Sequence, residues 1–251
     1  MDRNKFSHIG HAHHKFYNPI SEAKVERILN SVNLKPLDKV IDIGSGKCEI
    51  LIRLIEKYNI FGTGIELYKG FVNEAHQNAS QRIDSKSLIL VNEDAKEFLS
   101  NNTYTQQYDM GICVGSTHVL GGFESTIKEL KKCVKNGGYI VVGECYWKAK
   151  PSYEYLCALD SDESELNTHY GNIKTAEGLG LISLWSTVAS EDDWDEYECL
   201  YSMSIENYCN DHTEDEDCQE MLQKIRNWRN AYFSMGRDTL GFGLYLLRNI
   251  K

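Results

Sequence analysis

VIDIGSGKCEI, residues 40–50, carries a short apolar run into a glycine turn and out again into a helix-forming segment. The run KVIDI (39–43) is continuous rather than alternating, as expected of a parallel strand covered on both faces. In CEILIRLIEKY, which follows, Ile50, Leu51, Leu54, Ile55 and Tyr58 fall at the three-and-four spacing of an amphipathic helix that must pack back on the sheet. Between strand and helix, Gly44, Ser45 and Gly46 let the backbone approach a ligand without side-chain obstruction and present amide N–H groups to it. A lone G-x-G also serves an ordinary tight turn, so its company decides the reading.

Outward from this turn, strand-length apolar runs alternate with helical periodicity: NIFGTGIEL (59–67), SLILVNED (87–94), QYDMGICVGS (107–116) and YIVVGECYW (139–147) predict four more strands. This alternation is the mark of strand–helix–strand units and a mainly parallel sheet. The helix ESTIKELKKCVKNGG is expected to stop at Asn136-Gly137. LISLWSTVAS (181–190) and TLGFGLYLLRN (239–249) predict two later strands, and helical spacing returns at 197–208 and 221–233. Ahead of the sheet, residues 22–32 predict a helix capped by Ser21 or Asn18.

Two acids share the carboxyl edge with the turn. Glu66 ends the second strand 20 residues after Gly46, where an acid in this topology accepts hydrogen bonds from ribose hydroxyls. Asp94, with Ala95 beside it, ends the third, within reach of an adenine amino group. The constellation suits a nucleoside-bearing ligand, either a dinucleotide or a simpler nucleoside.

Asp42-Ile43-Gly44-Ser45-Gly46, Glu66, Asp94-Ala95 and IKELKKCVKNGGYIVVGE together resemble the class I S-adenosylmethionine-dependent methyltransferases over about residues 20–147. The resemblance implies a Rossmann-like, doubly wound α/β fold with a seven-stranded sheet, mainly parallel, whose antiparallel last strand is supplied by TLGFGLYLLRN. An N-terminal helical arm and an acidic helical cap complete it. It implies S-adenosyl-L-methionine as cofactor, with Asp42, Gly44, Ser45, Gly46, Glu66, Leu67, Asp94, Ala95, Cys113 and Gly115 around it. Glu49 stands where a dinucleotide-binding G-x-G-x-x-G needs its third glycine, and an acid there would repel a pyrophosphate. That position turns the choice towards S-adenosylmethionine, which has none.

On this reading residues 1–251 form a single methyltransferase domain: an arm and first helix (1–35), a cofactor-binding core (36–147), an acidic cap insertion including the strand near 181–190 (148–220), and a closing helix and strand (221–251). The expected function is direct in-line methyl transfer to a small-molecule acceptor. The competing one is a non-catalytic S-adenosylmethionine-binding sensor or partner subunit. His118, just past the fourth strand, is the first candidate for a base, with Tyr146 and Glu144 behind it. Thr117 belongs to the wall of the same crevice. Among His8, His11, His13 and His14 no carboxylate or cysteine completes a metal set, so no metal is expected; an arm folding over the ligand would bring His14, Tyr17 and Asn18 to it.

The net charge of -10 argues against nucleic-acid partners, which call for a basic face. Residues 151–220 hold 19 acids against the single Lys174; these read first as solvated helix faces and helix starts that favour acids, and alternatively as a field that draws an amine or cationic acceptor held by Trp185, Trp194 and Tyr197. No apolar run reaches the roughly 20 residues of a membrane span, no start resembles a secretion signal, and eight cysteines lack any C-x-x-C pair. A cytoplasmic protein, monomer or homodimer, is expected.

Overall fold

The computed structural model describes residues 1–101 and 104–250. In chain order the helices are α1 (Arg3–Gly10), α2 (Glu22–Asn30), α3 (Glu49–Tyr58), α4 (Lys69–Ser80), α5 (Ala95–Asn101), α6 (Phe123–Cys133), α7 (Tyr153–Leu159), α8 (His169–Gly178), α9 (Glu191–Asp211) and α10 (Cys218–Ala231). The strands are β1 (Lys39–Ile43), β2 (Phe61–Ile65), β3 (Leu88–Val91), β4 (Tyr108–Val114), β5 (Val134–Trp147), β6 (Leu181–Val188) and β7 (Leu240–Asn249). They form one seven-stranded sheet in the order β3-β2-β1-β4-β5-β7-β6, with β7 antiparallel to both neighbours and the other pairings parallel. This is the Rossmann-like α/β fold expected. Strand order reverses between β1 and β4, so the carboxyl ends of β2, β1 and β4 border one crevice.

The apolar runs bury both faces of the sheet. Val40, Met110, Ile112 and Val141 pack under α2 and α3, while Ile41, Ile43, Ile140 and Val142 pack under α6 and α8. On α3 the buried set is Leu51, Ile52, Leu54 and Ile55; Ile50 is only half-buried, at the crevice. The helix lies close to the sheet because Gly62 faces it, where a Cβ would stand 2.8 Å from the Leu51 Cγ.

The end of one helix departs from the sequence reading. Helix α6 ends at Cys133, not at Asn136-Gly137; Val134 is already extended, and residues 135–138 form a bulge in β5 opposite β4. The stop comes from afar, since the buried Asn249 side chain on β7 donates to the Lys131 and Val134 carbonyls (3.2 and 2.8 Å). Within 148–220, β6 pairs with β7 and α8 packs on the sheet beside α6, while α9 brings Tyr197 to the crevice and α7 packs against α10. The N-terminus forms α1, N-capped by Asp2, and packs through Phe6 against Ile205, Met221 and Ile225 of α9 and α10. Among the described residues, no helix is long and apolar enough to cross a membrane.

Candidate functional site

A cleft of about 410 Å³ opens at the carboxyl edge of β1, β2 and β4. Its floor is the glycine turn. Gly44 N and Ser45 N both donate to the Ile65 carbonyl (2.9 and 3.0 Å), which staples the turn to β2. Gly44 (φ +65°) and Gly46 (φ +52°) occupy the left-handed region. A Cβ on Gly44 would lie 2.4 Å from the Ser116 Cβ, and one on Gly46 would lie 2.9 Å from the Tyr17 ring. Side chains here would fill the cradle.

Glu66 leaves β2 and turns back to the floor. Its Oε2 accepts from Gly46 N (3.0 Å) and its Oε1 from Tyr68 N (2.8 Å). Burial pushes this carboxyl above its ordinary value, opposed by backbone donors from Tyr68, Gly46 and Leu67. Asp42, at the end of β1 and 4% exposed, is pushed well above the usual range by burial and then by the neighbouring Glu66 charge. At the far wall Asp94 Oδ1 accepts from Lys96 N (2.8 Å) and Glu97 N (3.1 Å), capping α5, with Ala95 buried beside it. Asn92 ties the two strand ends together, donating to the Glu66 and Leu67 carbonyls (2.9 and 2.6 Å). Leu67 forms an exposed rim.

The opposite wall is made of side chains from distant segments. Tyr17 donates to Glu74 Oε2 (2.9 Å) and packs its ring 4.8 Å from that of Phe71 on α4. Asn18 Oδ1 accepts from Ile20 N (3.0 Å). His118 faces the cleft from the turn after β4, and burial lowers its pKa, which keeps the imidazole neutral and able to accept a proton. Gly115 (φ +75°) and Ser116 complete this side.

Sequence reasoning placed Tyr197, on α9, only among the aromatics that could hold a cationic acceptor, and His11 only among the histidines weighed for metal. His11 Nδ1 lies 2.9 Å from the Ser7 carbonyl, which can only accept; the proton is therefore on Nδ1, and Nε2 accepts from the Tyr197 hydroxyl (2.9 Å). Burial is the main cause that depresses His11 to about 3, followed by the nearby His14. Lys47 also lines the cleft, bonded to the His14 carbonyl and to Glu74 (3.3 Å), with Nζ 5.2 Å over the Tyr17 ring. The pairing partners lie up to 186 residues apart, so no local pattern announces them.

Several expected site residues lie elsewhere. Cys113 is wholly buried on the opposite face of the sheet, where burial pushes its thiol well up. Thr117 is buried behind His118 and donates to Glu144, whose other oxygen accepts from Cys145 N (2.9 Å). Tyr146 packs its ring 5.2 Å from His169 on that face. His14 is buried with Nε2 on the Tyr197 carbonyl (2.9 Å), outside the cleft. Trp185 is furthest away: β6 is the last strand of the sheet, with β7 and β5 between it and β4, and a register shift between Ser183 and Trp185 leaves the ring 42% exposed. Glu49 borders the cleft and is held by Arg53 and Arg82 (2.6 Å each), which also bind Glu22, Glu26 and Glu56, so carboxylates outnumber the two guanidinium groups there. Among the described residues no cluster of three metal-binding side chains occurs.

The sequence profile of the methyltransferase domain family matches residues 34–227. An uncharacterized Escherichia coli (strain K12) protein, YjhP, is 26% identical over 250 residues, 98% of this chain and 99% of its own. A crystal structure of a SAM-dependent methyltransferase from Geobacter sulfurreducens in complex with S-adenosyl-L-homocysteine is 25% identical with a TM-score of 0.88, covering 98% of each chain. Its counterpart from Thiobacillus denitrificans, with the same ligand, is 25% identical with a TM-score of 0.87, covering 99% of each chain.

Proposed function

The chain belongs to the methyltransferase domain family, and from that premise we propose that it transfers the methyl group of S-adenosylmethionine to a small-molecule acceptor within the cleft. The observation that carries this reading is the Glu66 carboxylate fixed on Gly46 N at 3.0 Å, which couples a side-chain-free turn to an acid at the end of β2. Support comes from the two S-adenosyl-L-homocysteine complexes whose chains match this one end to end. The cleft volume of about 410 Å³ lies within the range of small-ligand sites, and its buried acids suit a cationic ligand.

In this assignment Glu66 holds the ribose, Asp94, Ala95 and Leu67 border the adenine, and Asp42, Gly44, Ser45, Gly46 and Gly115 surround the amino-acid end. Bound S-adenosylmethionine supplies an electrophilic methyl group on its sulfonium, so the protein's task is placement. His118, neutral at the open side, accepts the acceptor's proton. Tyr17, Asn18 and His11 close that side against water, while Glu144 and Thr117 brace the turn that carries His118, and Tyr146 packs beyond them. Residues 1–251 act as one methyltransferase domain on this reading.

The test is incubation with methyl-labelled S-adenosylmethionine and panels of amines, phenols, thiols and carboxylic acids, beside bulk protein and RNA. Label is expected in one small-molecule class. Label confined to protein or RNA would contradict the proposal.

A further inference from the structure

The acidity of residues 151–220 is mostly spent outside. Asp193 pairs with Lys24, Asp195 and Glu191 with Arg237, and Glu206 with Arg226. Glu198 differs from all of these. It is 4% exposed, and among the described residues no lysine, arginine or histidine lies within ion-pair reach. Among the described residues its carboxylate accepts one side-chain hydrogen bond, from Trp228 Nε1 on α10 at 2.7 Å. Burial pushes its carboxyl up to about 7, with the Trp228 bond opposing.

Two further polar atoms on α9 are enclosed without a partner among the described residues: Trp194 Nε1 and Ser202 Oγ, on side chains 8% and 4% exposed. Trp194, Glu198 and Ser202 are four residues apart in succession, hence on one face of the helix. Native interiors seldom leave three such groups short of partners unless something polar joins them.

Their surroundings adjoin the cleft. Trp194 lies between Tyr197 (6.1 Å, edge-on) and Tyr232 (6.2 Å, stacked). Tyr197 lines the cleft itself, and the Tyr201 ring stands 4.8 Å from His11. Glu198 is close enough to Cys145 at the end of β5, and to Tyr155 on α7, to raise both of their pKa values. The turn at Tyr232–Gly236 is π-helical, a local irregularity found often at functional sites, and a Cβ on Gly236 would meet the Tyr155 hydroxyl at 2.6 Å.

We propose that Glu198, with the rings of Trp194, Tyr197 and Tyr201, is the recognition site for an acceptor carrying an alkylammonium group. The inference rests on the cleft being the methyl-transfer site and names the substrate class for it. A buried carboxylate lacking a counter-ion is costly to keep, and an incoming cation offsets that cost while the ring faces replace its hydration. Of these side chains Tyr197 is the one that lines the cleft, so it joins the Glu198 cluster to the methyl-transfer site.

The experiment is calorimetry on the full chain saturated with S-adenosyl-L-homocysteine, using choline against its neutral carbon isostere 3,3-dimethylbutan-1-ol and benzylammonium against benzyl alcohol. The wild type is expected to favour at least one cation over its isostere by about tenfold or more, as befits a charged hydrogen-bonding partner. Glu198→Gln, which keeps the size and the Trp228 bond, is expected to erase that preference with S-adenosyl-L-homocysteine affinity unchanged. Equal or absent binding of both members of each pair to the wild type overturns the proposal without any variant, as does a preference that survives in Glu198→Gln. Failure of S-adenosyl-L-homocysteine itself to bind overturns the methyl-transfer reading, and this inference with it.

Discussion

The two ends of the cleft are built by different means. At the Glu66 end the donors are backbone amides of Gly46 and Tyr68, fixed by the register of parallel strands and by a turn stapled to the Ile65 carbonyl. At the His118 end the walls are side chains from α1, α4 and α9, joined by contacts such as His11 with Tyr197 and Tyr17 with Glu74. The first end is a property of the sheet; the second is a property of what is laid over it. A site fixed by backbone changes little when one surface side chain changes, whereas a site assembled from distant segments can be respecified by a few substitutions.

This contrast predicts separable effects. The largest is expected at the side-chain end: His118→Ala should lower turnover by about 10²- to 10⁴-fold, the usual contribution of a general base, with cofactor affinity preserved. Steady-state and binding measurements on the same variant check it, and parallel losses in both would merge the two ends. Gly44→Val attacks the backbone end. The left-handed φ and the 2.4 Å approach to Ser116 should cost about 3 kcal/mol or more, roughly a hundredfold or greater loss of S-adenosyl-L-homocysteine affinity by calorimetry.

Glu66→Ala should be milder, weakening the same ligand by about 1–3 kcal/mol. An unchanged affinity would remove Glu66 from the site. The smallest effect concerns stability. His11 is depressed to about 3 in the fold, so its neutral form supports folding fully above pH 6.5 and that support is lost as pH falls from there towards 3. Between pH 6 and 4 the wild type should lose roughly 1.4 kcal/mol more per pH unit than His11→Gln, read from denaturant unfolding. Parallel pH profiles would mean that His11 takes up protons in the fold as readily as in the unfolded chain.

The same division explains what could be read from the chain. The strands β1 to β5, the glycine turn and the acids at their ends are local patterns, legible because period, length and punctuation lie within a few residues. Even there the end of α6 was misread, because its cap is Asn249, more than a hundred residues away. The covering layer was less legible. Lys5 meets Asp215 across 210 positions, and Tyr197 meets His11 across 186, so only the folded chain brings them together. Trp185 illustrates the converse: an aromatic in an acidic segment suggested a ligand wall, but the strand that bears it pairs at the sheet's far edge. The acid of consequence in that segment, Glu198, differs from its neighbours only in facing inward.

The most direct test of the central assignment is calorimetric titration of the wild-type chain with S-adenosyl-L-homocysteine and, separately, with a nicotinamide dinucleotide. The structure predicts binding of S-adenosyl-L-homocysteine at a single site, weakened in Glu66→Ala, and no heat with the dinucleotide. Binding of the dinucleotide in place of S-adenosyl-L-homocysteine would contradict it.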